Sequence, residues 1–561
     1  MERRVLIAIF LSFLVVYGYQ TFFTAPAPKP APAEQAAPAD AAVATPPAAA
    51  GTASAAPAAA ALVGEPGERD VRVETTHVVA VFTNRGARLK SWKLKNYRDS
   101  KGQPLELVDQ AVASTHPLPF SLSVPDAATT AALNSAFYTV QESNDGAPRL
   151  TFEYRNDGGL AVRKEFTLDQ SSYLVTVGVS VSQNGSALAP TVLWGPGLGD
   201  DDSQTVRSTQ KPEALYSSAG EVNRLDAGDV ATQSTYEQEF DYAGIDDHYF
   251  VAFALKPGAA KVSYQPVQVP NASAPETPRD LMAFSITPAR ADQPLRFYVG
   301  PKNFETLAAI DRNLVKAINF GMFSIIVVPL LRSLNWIHGY VGNYGWAIFI
   351  LTLLINVVLF PLNHKSVVSM RKMQEIQPEA KAIQERYSKL KATDPARQKM
   401  NQELMALYRD NGVNPASGCV PILLTLPVFL AFYALLTTAI ELRGAPFIGW
   451  IQDLSAPDPY YVMPVLVGLS QILTQWLTPQ AGADPAQQKM MMIMPVVLIF
   501  VFVSTPAGAL IYWFVGNIWR IGQMQLTNYI HPPKVRVIRP AAERRVKRVG
   551  GGKTESAARE S

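Results

Sequence analysis

The sequence predicts an α-helical polytopic membrane protein of six spans that carries an all-β sandwich domain on the far side of the membrane, and three observations carry this reading. Apolar runs of membrane length cluster after Phe320 whereas residues 64–300 are polar, so a mean hydropathy of +0.04 averages over two solvents. The polar stretch alternates at period two, as in VRVETTHVVAVF, LTFEYR and SYLVTVGVSVS, with NDG and QNGS between, the mark of antiparallel strands with one solvated face. The run from Asn414 to Leu436 is long enough to cross a bilayer yet is broken by Pro415, Pro421 and Pro427. Each proline removes a donor and frees a carbonyl, so this span belongs inside a helix cluster whose members satisfy it.

In chain order, residues 1–24 form a membrane anchor. Arg3 and Arg4 precede the apolar run Val5 to Phe23, and the positive flank holds that end in the cytoplasm. Residues 25–62 are almost entirely Ala and Pro and form an extended tether. The β-domain covers 63–300. It has more Asp and Glu than Lys and Arg, which argues against a DNA or RNA role for it. Asp200, Asp201 and Asp202 read as a solvated turn, because the ligand spacing of a calcium loop is missing. The single Cys419 excludes an intrachain disulfide, and six histidines without a ligating spacing suggest neither metal nor cofactor.

Residues 301–340 are expected to be amphipathic and interfacial helices. From Lys302 to Ile318 one helical stripe holds Phe304, Leu307, Ala308, Leu314, Val315 and Ile318, opposite Lys302, Glu305, Arg312 and Lys316, which suits a membrane surface or the flank of the sandwich equally. Phe320 to Leu331 contains Pro329 and stops at Arg332, short for a span. Were it to cross, the basic segment after the second span would lie outside, against its ten Lys and Arg to six Asp and Glu over residues 365–410. It is therefore read as interfacial, with Trp336, Tyr340, Tyr344 and Trp346 as an aromatic belt.

The second span is placed at 341–363, followed by a cytoplasmic coiled hairpin at 364–412. Ile376, Ala380, Ile383, Tyr387 and Leu390 form one seam, Met400, Leu404 and Leu407 the other, with a turn at Thr393, Asp394 and Pro395. Further spans follow at 413–438, 459–477, 490–504 and 507–527, the last two joined by a tight Ser504 to Gly508 turn. Both termini then lie in the cytoplasm. The tail, 528–561, bears Lys534, Arg536, Arg539, Arg544, Arg545, Lys547 and Arg548, a composition that suits anionic lipid, ribosomal RNA or orientation alone.

Polar residues recur inside the spans at helical spacing: Thr352 with Asn356; Gln471, Thr474 and Gln475; Trp513, Asn517 and Arg520. Each such residue alone is ordinary glue between helices. Together, with a cation that costs at least about 2.5–3.5 kcal/mol at mid-membrane, they suggest a wet cavity beside the proline-broken span.

Three stretches, NPASGCVPILLTLPVFLAFYALL at 414–436, IELRGAPFIGWIQDLSAPDPYY at 440–461 and DPAQQKMMMIMPVV at 484–497, resemble the YidC family of bacterial membrane protein insertases, in its Gram-negative form. The resemblance implies a five-helix insertase core around a hydrophilic groove open to cytoplasm and lipid and closed outside. It also implies a periplasmic β-supersandwich resembling sugar mutarotases without their activity. Thr352 matches the family's groove threonine, and Tyr512 with Trp513 its aromatic pair. Asn356 stands where the family's groove commonly has an arginine, so Arg520 is expected to supply that charge from the sixth span. Implied partners are nascent membrane proteins, the lipid bilayer, the Sec translocon with its accessory SecD/SecF subunits, and the ribosome.

The resemblance implies insertion and chaperoning of integral membrane proteins without a chemical reaction, and as no GxxxxGK[ST] motif is present the energy is expected from apolar partitioning, the membrane potential or the translating ribosome. A secondary transporter or channel is the competing class, weakened by the lack of an inverted repeat. An exported sugar-modifying enzyme rests on the sandwich alone.

Overall fold

A computed structural model describes residues 61–99, 101–144, 146–199, 210–270, 278–387, 396–412, 420–477 and 485–530. The chain divides into two units, the described part of one being residues 372–412 and the other running over Ala58–Arg371 and Pro415–Lys534.

The larger unit begins with the β-domain, a fourteen-stranded antiparallel sheet and a four-stranded one made of Asp70–Glu74, Val78–Thr83, Arg88–Arg98 and Pro104–Glu106. Period-two patterning does what it should: along Leu160–Leu168 every second side chain is buried. The two sheets close over an aromatic core in which Phe82 of the small sheet lies 4.7 Å from Phe166 and Trp92 Nε1 donates to Val299 O at 3.0 Å. Lys164, fully buried on the large sheet, donates to Gly86 O (2.7 Å), Ala87 O (3.0 Å) and Phe120 O (2.9 Å). Burial pushes its pKa well down, and the three carbonyls replace the water its ammonium has lost. The first two belong to a tight turn with φ of +69° at Gly86 and +48° at Ala87, where a Cβ on Gly86 would sit 2.6 Å from Asn134 O, and the third comes from Phe120, itself at φ +66°. Two helices decorate the domain, α1 (Ala127–Ser135) and α2 (Ala227–Thr232).

The single amphipathic helix expected over 302–318 does not form. Asn303 caps a short α3 (Phe304–Ile310), and Asp311 ends it by accepting from Asn313 N to start a 3-10 turn, Arg312–Ala317. The predicted apolar stripe is still used, since Phe304, Leu307, Leu314 and Ile318 are buried, but it packs on the β-domain. Lys302 leaves the polar face and is buried against Asp246 at 3.1 Å.

The run from Phe320 also differs from expectation. After a 3-10 turn at Gly321–Phe323, α4 (Ser324–Val341) continues through Pro329 and Arg332, so Gly321–Val341 is long and apolar enough to cross a membrane by length and composition. Val327, Leu331, Leu334 and Ile337 form its buried stripe, while Met322, Ile325, Trp336 and Tyr340 are exposed. Gly342, at φ +69°, closes the helix by donating to His338 O at 2.7 Å.

Helix α5 (Tyr344–Glu375) is the second of the two helices that pass that test. It runs twelve residues beyond the span end placed at 363, because Pro361 is accommodated and nothing after it breaks the helix. In the smaller unit, α6 (Gln377–Arg386) and α7 (Ala396–Asp410) pair through Ala380, Ile383 and Leu404, flanked by Tyr387, Met400 and Leu407. Tyr387 Oη donates to Glu403 at 2.8 Å across the pair. Leu390 and the turn at 393–395 lie outside the described residues, as do Asp200 to Asp202, Cys419 and Pro415.

Four helices complete the core: α8 (Val420–Thr438), α9 (Val462–Leu477), α10 (Pro485–Phe502) and α11 (Ala507–Ile530). Pro421 falls at the second position of α8, where its missing N–H has no partner to lose, and Pro427 lies within the helix. The loop between α8 and α9 is built on buried Asp458, which accepts from Trp450 Nε1 (2.9 Å), Tyr460 N (3.0 Å) and Met463 N (2.7 Å) and so caps α9. That loop also seats α11, through Gly508 N donating to Leu454 O at 2.9 Å.

Lys164→Met keeps the volume and strands three carbonyls. It should destabilise the β-domain by about 3 kcal/mol, read as an earlier midpoint in urea pulse proteolysis of the full chain with the released β-domain fragments followed. An unchanged midpoint would mean that the turn at 86–87 is held by other bonds.

Candidate functional site

On α5, Thr352 is fully buried and its hydroxyl donates to Ile348 O at 2.6 Å, while half-buried Asn356 donates to Thr352 O at 2.8 Å. Both bonds return to their own helix, so neither side chain joins α5 to a neighbour through them. On α9 and α11 the picture differs. Buried Asn517 donates to Ser470 Oγ at 3.0 Å, Trp513 Nε1 reaches Gln471 Oε1 at 3.4 Å, and buried Thr474 donates to Ser470 O at 2.8 Å. Asn517 with Ser470 and Trp513 with Gln471 thus bond across the α9–α11 seam, while the Thr474 bond returns to its own helix. Asn517 and Thr474 are buried with these bonds made, whereas Gln471 and Trp513 are half-buried.

Aromatic rings close the end of the bundle nearest the β-domain. Tyr512 stacks on Phe432 of α8 at 4.3 Å, and Trp513 meets Phe429 at 4.8 Å and Phe502 of α10 at 4.7 Å. Close approach supports the same end: a Cβ on Gly468 of α9 would fall 2.3 Å from Ile499 Cγ1. Five to six residues separate Tyr512 and Trp513 from the start of α11, or about 8–9 Å at 1.5 Å per residue.

Further along, the polar groups lose their partners. Gln475 Oε1 on α9, Asn363 Oδ1 on α5, and Trp519 Nε1 and Gln523 Nε2 on α11 are buried with no hydrogen bond. Arg520 is exposed on the face of α11 that carries Tyr512 two turns earlier, and no acidic group pairs with it among the described residues. Its depth from the helix start, about 20 Å, matches the roughly 18 Å of Asn356 from the start of α5. An unsatisfied polar atom removed from water costs about 1–3 kcal/mol, so this inner half of the bundle is set up for a ligand or solvent that supplies bonds.

A cluster that sequence reasoning missed lies beyond it. Arg371 of α5, 6% exposed, donates to Thr527 O (2.7 Å), Met524 O (3.5 Å) and the Asn528 side chain, and His364 lies 3.3 Å from Thr527 Oγ1. An arginine fifteen residues after Asn356 carries a signal only if α5 is known to run on to Glu375, whereas sequence pattern assigns residues 364–412 to the hairpin. The basic positions Lys534, Arg536, Arg539, Arg544, Arg545, Lys547 and Arg548 lie outside the described residues.

The β-domain holds a cavity of about 540 Å³ beside Trp194, Tyr264 and Phe284. Among the described residues its lining holds His116 and no Asp or Glu, and Tyr264 Oη donates to Leu215 O at 3.0 Å. No cluster of three metal-ligating side chains occurs among the described residues.

The family described as 60Kd inner membrane protein matches residues 336–534, and the YidC periplasmic domain family matches residues 70–333. A membrane protein insertase YidC from Geobacter metallireducens is 32% identical over 94% of this chain and 98% of its own length. The protein of the same name from Oleidesulfovibrio alaskensis is 35% identical over 93% and 98%. Among solved structures, an active YidC insertase with its first transmembrane domain resolved covers 84% of this chain and 95% of its own at 21% identity and a TM-score of 0.35. A putative aldose 1-epimerase from Escherichia coli covers 42% of this chain and 99% of its own at 11% identity and a TM-score of 0.26. Likenesses this loose carry no argument about activity.

The bonding pattern divides the polar positions into two sets that thiol chemistry can separate. In a chain with Cys419→Ser, single cysteines at 352 and 517 should stay unmodified by a membrane-impermeant maleimide, and cysteines at 356 and 520 should be modified at least about tenfold faster. Equal protection at all four positions would remove the wet inner half.

Proposed function

This chain belongs to the YidC family of membrane protein insertases, and on that premise we propose that it lowers nascent hydrophobic segments into the inner membrane through the inner half of its five-helix core. The observation that carries this reading is the asymmetry of the bundle. Its outer end is closed by Phe429, Phe432, Phe502, Tyr512 and Trp513, and its inner half presents Gln475, Asn363, Trp519, Gln523 and Arg520 with bonds to give.

The steps follow from where these groups lie. The hairpin of α6 and α7, with its thin apolar seam, meets a greasy segment on the cytoplasmic side. The segment's short polar flank enters the inner half, where side chains and water take the place of hydrocarbon. Arg520 draws acidic flanks, supplying from α11 the charge that Asn356 does not. The apolar part then leaves sideways into lipid, where burial is worth about 25 cal/mol per Å². By family the protein is an insertase and not a catalytic enzyme, and its β-domain is the periplasmic one.

Six crossings with both termini cytoplasmic account for the basic hairpin, counting residues 1–24 as the first and α5 and α8 to α11 as the rest. In that arrangement α4 lies on the outer membrane surface, its exposed Met322, Ile325, Trp336 and Tyr340 entering the headgroup layer. The basic tail is suited to the ribosome or anionic lipid. The β-domain offers a surface for the Sec translocon and its SecD/SecF subunits.

Arg520→Gln should reduce insertion of a client whose translocated flank bears two acidic residues by about tenfold, against less than twofold for the same client with neutral residues. The measurement is protease protection of the flank in reconstituted vesicles, and equal losses for both clients would overturn Arg520 as the groove's cation.

A further inference from the structure

Depth and burial run in opposite order over the last three turns of α11. Arg520, about 20 Å from the outer end, is exposed, yet Thr527, about 30 Å along and so at the inner edge of a hydrocarbon layer about 30 Å thick, is fully buried. Two side chains of α5 lie over it. His364 Nδ1 is 3.3 Å from Thr527 Oγ1, and because that hydroxyl gives its own hydrogen to Gln523 O at 2.8 Å, the ring is the donor. His364 stands about 30 Å from the start of α5, so the two meet at one depth.

Arg371 completes the joint. It is 6% exposed and lies two turns beyond His364 on the same face of α5, and long helical side chains lean back toward the N-terminus, which carries its guanidinium to the level of Thr527. There it donates to Thr527 O (2.7 Å), Met524 O (3.5 Å) and the Asn528 side chain. Thr527 belongs to the last turn of α11, where carbonyls have no partner within the helix and the dipole is negative. A planar cation with several donors thus caps α11 from another helix.

Arg520 precedes Thr527 by seven residues, which is a rotation of about 700°, or two turns less about 20°, so both lie on one line of α11. Whatever fixes the rotation of α11 at Thr527 therefore fixes the direction of Arg520. We propose that Arg371 is a positioning residue for insertion: its cap on Thr527 and Met524 sets the rotation of the inner end of α11 and so aims the Arg520 cation into the inner half of the bundle. The positioning claim rests on the insertase reading; the cap does not.

Arg371 carries a charge of its own, and its field would favour acidic flanks without any help from α11. The two roles separate through Arg520. A residue that aims Arg520 has nothing to aim once that charge is gone, whereas a residue acting by its own field keeps its effect, so the pair forms a double-mutant cycle. Lysine separates them a second way, because it keeps the charge and loses the fork that reaches two carbonyls at once.

The test uses full-length protein with Cys419→Ser in vesicles, and two clients that differ only in bearing two acidic or two neutral residues in the flank. Arg371→Gln should lower insertion of the acidic client by about fivefold and of the neutral one by less than twofold. Arg371→Lys should share that loss, and in an Arg520→Gln background Arg371→Gln should change neither client. The cap is read separately. Thr527→Cys keeps the carbonyl that Arg371 holds, and its thiol should react with a membrane-impermeant maleimide at least about tenfold faster once Arg371→Gln is added. Val467→Cys, at a fully buried position of α9, should be unaffected. A selective loss that persists without Arg520, or that Arg371→Lys fully restores, overturns positioning in favour of plain charge. Unchanged reactivity at 527 overturns the cap, and faster reaction at 467 as well overturns a role confined to the end of α11. Faster reaction at 527 alone, in vesicles that insert neither client, supports the cap while striking at the insertase reading.

Discussion

A polar group in hydrocarbon must find a hydrogen bond or cost several kcal/mol, and this bundle meets that constraint differently at its two ends. Toward the β-domain the bonds are closed within the protein: Thr352 on Ile348 O, Asn517 on Ser470, Trp513 on Gln471. Toward the other end Asn363, Gln475, Trp519 and Gln523 keep polar atoms with nothing to bond. A bundle satisfied throughout would be a plain membrane anchor, and one open throughout would leak. In the proposed mechanism, this graded arrangement admits a polar flank part way and stops it at stacked rings.

That closed end is held from outside the bundle as well. Glu441 and Arg443 lie in the same short segment after α8, and both reach the β-domain, as does Thr437 through His248. The segment 440–461 is therefore scaffold: Asp458 caps α9, Leu454 receives α11, and Glu441 receives α3. The β-domain becomes part of the frame that sets where α8 ends.

How much of this was legible in the sequence varied with the range of the interaction. Period-two alternation located the strands, because the pattern of Leu160–Leu168 is local and repeated. The seam of α6 and α7 was legible for the same reason. Helix ends were read less well. Over 302–318 the apolar stripe was real, but Asn303 and Asp311 as competing caps split the helix, and Lys302 was drawn inward by Asp246, fifty-six residues away. Phe320 to Leu331 reads as short when Arg332 marks its end, whereas the cation lies over the ring of Phe304 at 5.4 Å and the helix continues. The site was legible as a set of polar positions and illegible as to which bonds were already made. Spacing puts Asn517 and Arg520 on neighbouring faces of one helix, and only the packing of α9 against α11 determines that the first is bonded to Ser470 while the second is exposed.

Magnitudes explain why such a machine can work without a nucleotide site. For a span of about twenty apolar residues, transfer into lipid is favourable overall at about 25 cal/mol per Å² buried, and the obstacle is the polar flank that must cross first. A single charge at mid-membrane costs at least about 2.5–3.5 kcal/mol, and at 1.36 kcal/mol per tenfold in rate two such charges slow crossing by several orders of magnitude. Fuel would alter the equilibrium, which already lies on the right side. What has to change is the path. Polar side chains over the inner half of the bundle shorten the stretch of hydrocarbon that a flank must traverse. In the proposed mechanism, a cation at about 20 Å from the outer end of α11 offsets part of the penalty for an acidic one where that stretch begins. The same argument explains why the aromatic end must stay shut, since a bundle wet from end to end would lower the barrier for ions as well as for its clients.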